Sequence, residues 1–582
     1  MRKLTHFILK QNPKKLFAFL LIVWLGMNFF SALFTEIMED EAYYLLYGQN
    51  LAWGYFDHPP MVALMTWLSS LFCQGNLSVR FVTVFIHFFT VIIIWKLIDE
   101  KNPDAKKIAL FFILSMSMVM FQVYGFVTTP DAPLLLFASL FLLVYRNFLK
   151  NNSLINTLML ALAMAGMIYS KYHAVLIISC IVLSNIRLLI QPKFWMAVFL
   201  TILLLLPHIW WQFSMDFPSF RYHLSDRSSS FQWRYFIEYL PNQLVVFNPF
   251  TFGAIIYIIL KYRADNLFER GLYFLLIGFL SFFWIMSFRG HVEPHWTVVC
   301  SIPMILLLYR NSLYDSKLRR FVKLWILPSI ILICFTRIVL VTDLLPERLG
   351  FYGKKAKNEA IQSIAGDMPV VFAGKSFQDP STYHFFTGEE SFVLSSIESR
   401  LTQFDIWQKE LEYQGKPVFI CQPKEGQSKA YHINGHTFEG YFTSDFQSVN
   451  RVEIKYRLKQ TEIFPSDTLR IDFEIYNPTS MDIHFQHTEF PVICKAAYIW
   501  YSKNDKGKRR RNILLNYCVF DQEIEILPAN TTITGSLQTV IPNIIPSEFS
   551  FALTLDNTVC CARNSDFTKI SIQDRNQLTI NN

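Results

Sequence analysis

Glu39-Asp40-Glu41-Ala42-Tyr43-Tyr44, followed shortly by Gly54-Tyr55-Phe56-Asp57-His58-Pro59-Pro60, comes directly after the first long apolar run, Leu16 to Phe34. Three carboxylates where a chain leaves hydrocarbon are not needed to span a bilayer, and charge near a membrane is costly and usually kept for a task. The triplet alone also reads as a solvated acidic loop, as charge runs often do. Its second half argues for a built site, because an acid, an imidazole and a rigid Pro-Pro follow an aromatic pair.

Composition sets the class. Hydrophobic residues are 52% of the 582 and charged residues 17%, whereas soluble domains carry about 25% charged residues. Crossing about 30 Å of hydrocarbon takes about 20 mostly apolar residues. About eleven spans are read on that criterion: Leu16–Phe34, Leu77–Ile98, Ile108–Phe126, Pro133–Tyr145, Leu154–Ile168, Ala174–Ile186, Phe194–Trp211, Leu244–Leu260, Gly271–Ser287, Trp296–Leu308 and Phe321–Val341. The first is long and leads into acids rather than a small-residue cleavage site, so it is expected to stay as an anchor.

Orientation follows from lysine and arginine. With the basic N-terminus inside, the inner loops are Asp99–Lys107, Arg146–Ser153, Arg187–Lys193, Lys261–Arg270 and Tyr309–Arg320, nearly all basic. The net charge of +8 is then a positive-inside bias rather than a nucleic-acid patch. The outer loops, Thr35–Asn76, Val127–Ala132, Tyr169–His173, Gln212–Asn242 and Phe288–His295, hold nearly all the unusual polar residues of the membrane half. An odd span count also places everything after about Leu345 outside.

The tail has its own organisation. Val370–Gly374 and Val418–Cys421 read as buried strands beside helix-like segments at Asp379–Phe386 and Leu401–Tyr413, a small α/β module over 346–440. From about Tyr441 the period becomes two: Leu469, Ile471, Phe473 and Ile475 alternate with polar residues. Further strands at Val492–Tyr501, Ile513–Phe520, Thr531–Val540, Phe549–Leu555 and Lys569–Ile572 predict a β-sandwich over 441–582. Lys508-Arg509-Arg510-Arg511 reads as a solvated hairpin, with anionic lipid or glycan contact as the lesser reading. Among the tail cysteines, Cys494 and Cys518 are the pair a disulfide would join, on adjacent strands. No metal-spaced Cys-x-x-Cys, phosphate-binding Gly-rich loop, Gly-x-Ser-x-Gly or His-Glu-x-x-His occurs.

Asp40-Glu41-Ala42-Tyr43-Tyr44 with Gly54–Pro60 resembles the first outer loop of the GT-C membrane glycosyltransferases, and within them the dolichyl-phosphate-mannose protein mannosyltransferase and aminoarabinose transferase group. Thr128–Pro133, Tyr169-Ser170-Lys171-Tyr172 and Val292-Glu293-Pro294-His295-Trp296 resemble that group too, in the same order. The resemblance covers roughly the first 340 residues. Two departures stand out: some members carry Glu-Lys where this chain has Asp57-His58, and the β-rich tail is unlike the group's shared core. The fold class implied is a GT-C-like α-helical polytopic membrane domain over 1–345 in a bacterial inner membrane, with its active site and both tail modules extracytoplasmic.

The chemistry implied is transfer of a sugar from a polyprenyl-phosphate sugar to an acceptor hydroxyl, on a lipid-linked glycan, lipid A or a protein, with inversion. The hydroxyl needs a general base, and the departing phosphate needs positive charge or a metal. Asp40 matches the group's catalytic acid and is the candidate base; its alternative is a helix N-cap. Glu41 and Asp57 would orient the acceptor, or with Asp40 hold a divalent cation, which spacing alone does not establish. Lys171 is the first choice for the phosphate, against snorkelling to the interface. His58 offers a second donor, and Arg80 reads rather as a headgroup contact. Arg221, His223 and Arg227 form a candidate lid; Asp131 is a turn residue or a site carboxylate; Glu293 and His295 would bind phosphate, metal or acceptor. Trp53, Tyr55, Trp210 and Trp211 fit sugar stacking or an interfacial belt. The alternative from another class is a transporter or flippase, which would want ionisable groups within the spans; a receptor built on the sandwich leaves the Asp40–Asp57 loop without a purpose.

Overall fold

The computed structural model describes residues 12–223, 232–342, 344, 352–373, 376–423, 428–459, 464, 466–503 and 509–571. The chain forms two compact units, Met1–Tyr352 and Gly353–Asn582.

The first unit is helical. Its first half runs through α1 (Pro13–Phe34), α2 (Glu39–Gln49), α3 (Met61–Phe72), α4 (Leu77–Ile98), α5 (Ala105–Met116), α6 (Val119–Val123), α7 (Asp131–Lys150), α8 (Leu154–Ser170), α9 (Ala174–Ser184) and α10 (Pro192–Ser214). After the short α11 (Pro218–Arg221) come α12 (Trp233–Phe247), α13 (Pro249–Lys261) and α14 (Leu267–Met286). A 3₁₀ turn, Pro294–Cys300, opens α15 (Ser301–Tyr314), and α16 (Ser316–Phe321) joins α17 (Leu327–Val341) through a π-helical turn. Sequence sets the starts: Asn12, Ser153 and Asn266 side chains each accept a first-turn N–H.

Among the described residues, seven helices are long and apolar enough to cross a membrane, or eight with a bent pair. The chain is a multi-pass membrane protein, and two of the expected eleven spans need redrawing. Ile108–Phe126 is not continuous. Helix α5 stops at Met116, the Ser117 hydroxyl bonds the Leu114 carbonyl at 2.8 Å, and the Gln122 amide takes the Met116 carbonyl. Local side-chain bonds thus replace the helical ladder. Leu244–Leu260 bends by 106° between α12 and α13, where Asn248 lies at φ +70 and Pro249 lacks an N–H. Helix α3 was hidden inside the expected outer loop Thr35–Asn76. It packs on α2, with the Thr66 hydroxyl bonded to the Tyr44 carbonyl at 2.8 Å.

The basic loops meet at one end of the bundle. Arg146 caps the Leu97 carbonyl at 2.9 Å, Tyr309 reaches Glu100 at 3.4 Å, and Arg310 pairs with Asp265 and Glu269. Lys261 pairs with Asp315 at 2.8 Å. In the last span, α17, the apolar side chains are exposed or half-buried, and Arg337 is buried. Its guanidinium bonds Asn28, Ser31 and Gln122, fastening α17 to α1 and α6.

The second unit begins with α18 (Lys354–Ala365), which the sequence reading did not separate. Strands β1 (Val370–Ala373), β2 (Ser391–Leu394), β3 (Val418–Cys421), β4 (Lys429–Ile433) and β5 (His436–Thr443) form one sheet in the order β2-β1-β3-β5-β4. Helix α19 (Gln378–Thr387) joins β1 to β2; the expected helix Leu401–Tyr413 is split into α20 (Gln403–Trp407) and α21 (Glu410–Tyr413) by Gln408 at φ +55. Strand β5 stays paired with β3 as far as Thr443, so the α/β module runs past the expected boundary at Tyr441.

Next come β6 (Glu453–Leu458), β7 (Thr468–Tyr476), β8 (Ile483–His484), β9 (Ile493–Lys503), β10 (Arg509–Tyr517), β11 (Val519–Phe520), β12 (Ile526–Leu527), β13 (Thr532–Val540), β14 (Glu548–Asp556) and β15 (Thr568–Ser571). The sheets β10-β9-β14-β15 and β11-β13-β7-β6 bury one shared core that includes Leu469, Ile471, Phe473, Tyr498 and Phe551, which is a sandwich. The expected strand Ile513–Phe520 divides at Cys518, where the chain changes sheets. Cys518 N–H donates to the Cys494 carbonyl at 2.9 Å, so the two stand opposite each other, both as free thiols. Of the basic run, Lys508 lies outside the described residues and Arg511 donates to the Ile397 carbonyl at 3.1 Å.

Candidate functional site

Glu41 does not join the site expected of it. Its Oε1 accepts from Arg80 Nε at 2.7 Å and from the Thr128 N–H at 2.8 Å; its Oε2 accepts from Arg80 Nη2 at 2.5 Å and from the Met38 N–H at 3.1 Å. Both side chains are fully buried, and Arg80 also donates to the Thr35 carbonyl and hydroxyl. With its oxygens taken, Glu41 has little left for an acceptor or a cation. It closes the start of α2 and ties it to α4 and to the Thr128 segment. Arg80, read as a headgroup contact, is its buried partner. Asp40 is not the N-cap either: α2 begins at Glu39 with Met38 at the cap position, leaving Asp40 exposed on the first turn.

The tyrosines of α2 organise the rest of the loop. Tyr47 lies flat on Tyr55, ring centres 4.0 Å apart, and its hydroxyl donates to Asp57 Oδ1 at 2.7 Å. Tyr44 O–H and His58 Nε2 are 3.2 Å apart. Burial, and then the negative charges of Asp40, Asp57 and Asp131, push the Tyr44 phenol well above its usual range. Burial likewise pulls His58 down to about 4, with Asp57 opposing and Lys171 and His223 assisting. His58 is therefore neutral near pH 7.

The second and third outer loops meet in a closed ion pair. Lys171 Nζ lies 2.8 Å from each oxygen of Asp131, both side chains nearly buried. His295 Nε2, from the fifth loop, is 4.0 Å from Asp131 Oδ2. The His173 ring packs against Trp296 at 4.9 Å. Burial depresses its pKa first, then the charges of Lys171, His223, His295 and His58. The Tyr172 ring lies 5.8 Å from that of His223, so the third loop also meets the fourth.

Helix α10 and the fourth loop lock onto the first loop. His208 Nδ1 is 2.6 Å from the Trp53 carbonyl, Ser219 donates to the Tyr55 carbonyl at 2.9 Å, and His223 Nε2 is 3.2 Å from the Asp57 carbonyl. Gln212 donates to both Tyr172 and Ser219. Gly54 is required here: a Cβ would sit 2.3 Å from the Trp211 ring. Arg221 points elsewhere, to an exposed pair with Asp216. Arg227 lies outside the described residues. Glu293 is partly exposed, 3.5 Å from His291. Trp53 and Trp210 are exposed, whereas Tyr55 is a buried post and not a stacking platform.

The structure thus gathers Asp40, Asp57, His58, Asp131, Lys171, His223 and His295, and sets Glu41 and Arg221 aside. Tyr44, Tyr47, His173, His208 and Gln212 were missed, although the spacing of Tyr43, Tyr44 and Tyr47 on one helix was a usable signal. Among the described residues, Thr129 Oγ1, His173 Nδ1 and Gln212 Oε1 are buried without a hydrogen-bond partner, as befits a place that receives polar atoms. The trio Asp40, Glu41 and Asp57 does not make a cation cage, since Glu41 turns into Arg80 and Asp57 is held by Tyr47. Among the described residues no three acidic, histidine or cysteine side chains form a ligand set.

Comparison with known proteins gives the class first. The crystal structure of ArnT from Cupriavidus metallidurans in the apo state superposes with a TM-score of 0.54 at 13% identity, covering 73% of this chain and 97% of that one. The same protein bound to undecaprenyl phosphate gives 0.50 at 14% identity, with the same coverage. The membrane unit therefore has the GT-C fold. More particularly, residues 57–211 match the family of the dolichyl-phosphate-mannose-protein mannosyltransferases, a stretch that holds Asp57, His58, Asp131 and Lys171. The lipid A galacturonosyltransferase RgtD of Rhizobium johnstonii is 24% identical over 250 residues, 40% of this chain. The chain spans about half the length of that curated relative, 51%.

Proposed function

We propose that this protein is an integral-membrane glycosyltransferase that moves a sugar from a polyprenyl-phosphate sugar to a hydroxyl on an extracytoplasmic acceptor, inverting the anomeric centre. The convergence of acids, imidazoles and one lysine from the outer loops onto a single volume carries this reading. Asp40, exposed on the first turn of α2, takes the acceptor proton as the hydroxyl attacks the anomeric carbon. The bond from that carbon to the phosphate oxygen breaks, and the electron pair leaves on the phosphate. Lys171 has three N–H donors and gives two to Asp131; its third is the one available to the leaving phosphate. Asp131 thereby holds the ammonium in place, and His295 and neutral His58 border the same volume. Asp57, fixed by Tyr47, orients the acceptor.

The likeness to ArnT, one structure of which holds undecaprenyl phosphate, supports the donor class, and the likeness to RgtD, named for lipid A, favours a lipid acceptor over a protein. Mannose, aminoarabinose, galactosamine and galacturonic acid are all compatible. The basic loops at the opposite end of the bundle support an orientation with the loop cluster and both tail modules outside, and the likeness to bacterial proteins supports a bacterial inner membrane. The deciding experiment is mass spectrometry of envelope lipids and glycoproteins with and without the gene. A mass difference of one sugar on a lipid names donor and acceptor; unchanged lipids and proteins would end the reading.

A further inference from the structure

Gln212 lies in the last turn of α10, and the hydrogens around its side chain have one arrangement. His208 Nδ1 stands 2.6 Å from the Trp53 carbonyl, which can only accept, so that nitrogen carries the proton of the neutral ring. Nε2 then accepts from the Tyr172 hydroxyl at 3.3 Å. The Ser219 hydroxyl gives its hydrogen to the Tyr55 carbonyl at 2.9 Å. Both hydroxyls are thus committed as donors, and what they present to Gln212 is lone pairs. The amide meets them with the two N–H groups of its nitrogen, at 2.9 Å to Tyr172 and 2.8 Å to Ser219. Turning the amide over would set its oxygen against those two oxygens.

Oε1 is left over. Gln212 is 1% exposed, and among the described residues no group donates to that oxygen. A buried acceptor without a donor is costly and rare in native folds, yet the two bonds on the amide nitrogen hold this one in place. The residues around it are those of the proposed chemistry. Tyr172 follows Lys171 in the chain, its ring lies 5.8 Å from that of His223, and His223 Nε2 is 3.2 Å from the Asp57 carbonyl.

An amide oxygen accepts and cannot donate, so its partner brings an O–H or N–H group. An ionised phosphate or carboxylate brings neither. In the proposed transfer the phosphate meets Lys171 and the attacking hydroxyl meets Asp40 and Asp57. The sugar that changes hands lies between them, with hydroxyl or amino groups on its ring. We infer that Gln212 Oε1 accepts a hydrogen bond from a ring hydroxyl or amino group of the transferred sugar, and so takes part in choosing that sugar. This rests on the glycosyltransferase reading. A sugar without the matching group leaves the buried oxygen unpaired, which is how hydrogen-bond recognition rejects an analogue.

The test is equilibrium binding to the full-length protein in detergent, read by tryptophan fluorescence. The probes are undecaprenyl phosphate and its mannose, aminoarabinose, galactosamine and galacturonic acid glycosides. The glycoside that the wild type binds most tightly is then remade with each ring hydroxyl or amino group in turn replaced by hydrogen. At least one replacement should weaken binding to the wild type about tenfold, the worth of one buried hydrogen bond, and leave binding to Gln212→Met unchanged. Gln212→Met should itself bind the parent glycoside about tenfold more weakly, and undecaprenyl phosphate as the wild type does. Gln212→Asn keeps an amide but withdraws it by one methylene; it should show the same pattern and serves if the Met variant does not fold. Replacements that act equally on wild type and variants would leave Oε1 to a water molecule and overturn the inference alone. Weakened binding of undecaprenyl phosphate by the folded variants would also overturn it, since Gln212 would then only hold the loops. A wild type that binds no glycoside more tightly than undecaprenyl phosphate would overturn the inference and the donor class together.

Discussion

Lys171 and Asp131 face each other with two Nζ–oxygen distances of 2.8 Å, which joins the third outer loop to the second inside the bundle. Breaking a buried pair by removing one partner costs about 3–5 kcal/mol, because a charge is left uncompensated. Lys171→Ala should therefore lower the thermal midpoint in detergent as well as abolish transfer. Lys171→Met with Asp131→Leu removes both charges and should regain most of the stability while transfer stays absent. Recovery of transfer in the double variant would show that the pair only packs the loops.

A second buried pair makes a different prediction. Glu41 carries Arg80 and two backbone N–H groups, so Glu41→Gln strands a guanidinium in the bundle. Folded yield should fall sharply, again by about 3–5 kcal/mol of stability. Thermal unfolding of the purified variant measures it. A stable but inactive Glu41→Gln protein would return Glu41 to the chemistry.

Acid should loosen the first outer loop through His58. Its folded pKa, about 4, lies below the value of about 6.5 for a free imidazole. Between those values the unfolded chain binds the proton and the folded one does not, so stability rises with pH across that window and falls as pH drops through it. Taking the protein from pH 7 to pH 5 should cost about 1–2 kcal/mol, given that the ring is partly exposed. His58→Gln should remove that part of the pH dependence. A midpoint equally sensitive to acid in both proteins would place the effect in another histidine.

Orientation is checked by labelling single cysteines in a cysteine-free background of intact cells. Leu51→Cys, exposed near the loop cluster, should react with an impermeant thiol reagent, and Arg263→Cys, in a basic loop, should not. The reverse pattern would turn the molecule over.

The sequence foretold the membrane class and the gathering of loops because both rest on strong one-dimensional signals: hydropathy, lysine and arginine placement, and motif order. It was less able to place individual charges. Glu41 and Asp40 are neighbours in sequence with the same chemistry, yet a helix turns one into Arg80 and leaves the other on the outside. Arg80 lies 39 residues away from Glu41, and nothing local announces such a partner. The break after Met116 was hidden for a similar reason, since apolar side chains continue across it and only Ser117 and Gln122 betray the change. In the tail, the two-residue period gave the sandwich strands, while the crossover at Cys518 is visible only in three dimensions, where Phe520 pairs into the other sheet and meets Phe473.

The proposed mechanism depends most on Asp40. Asp40→Asn keeps the size and shape of the side chain, and α2 does not rely on Asp40 as its cap, because Glu41 accepts the Met38 N–H. The fold should therefore persist with a normal thermal midpoint. The change removes the charge and the capacity to take a proton, and general-base catalysis is worth about 10² to 10⁴ in rate. Transfer from a polyprenyl-phosphate sugar should fall by at least that order, with donor binding largely kept. Asp57→Asn should act differently: Asp57 accepts the Tyr47 hydroxyl at 2.7 Å, so its loss should raise the acceptor KM more than it lowers kcat. Both are measured on purified protein in detergent across several pH values. Near wild-type kcat in Asp40→Asn would end the base assignment and pass it to Asp57, which with Asp40 and Asp131 is one of the three carboxylates whose charge reaches Tyr44.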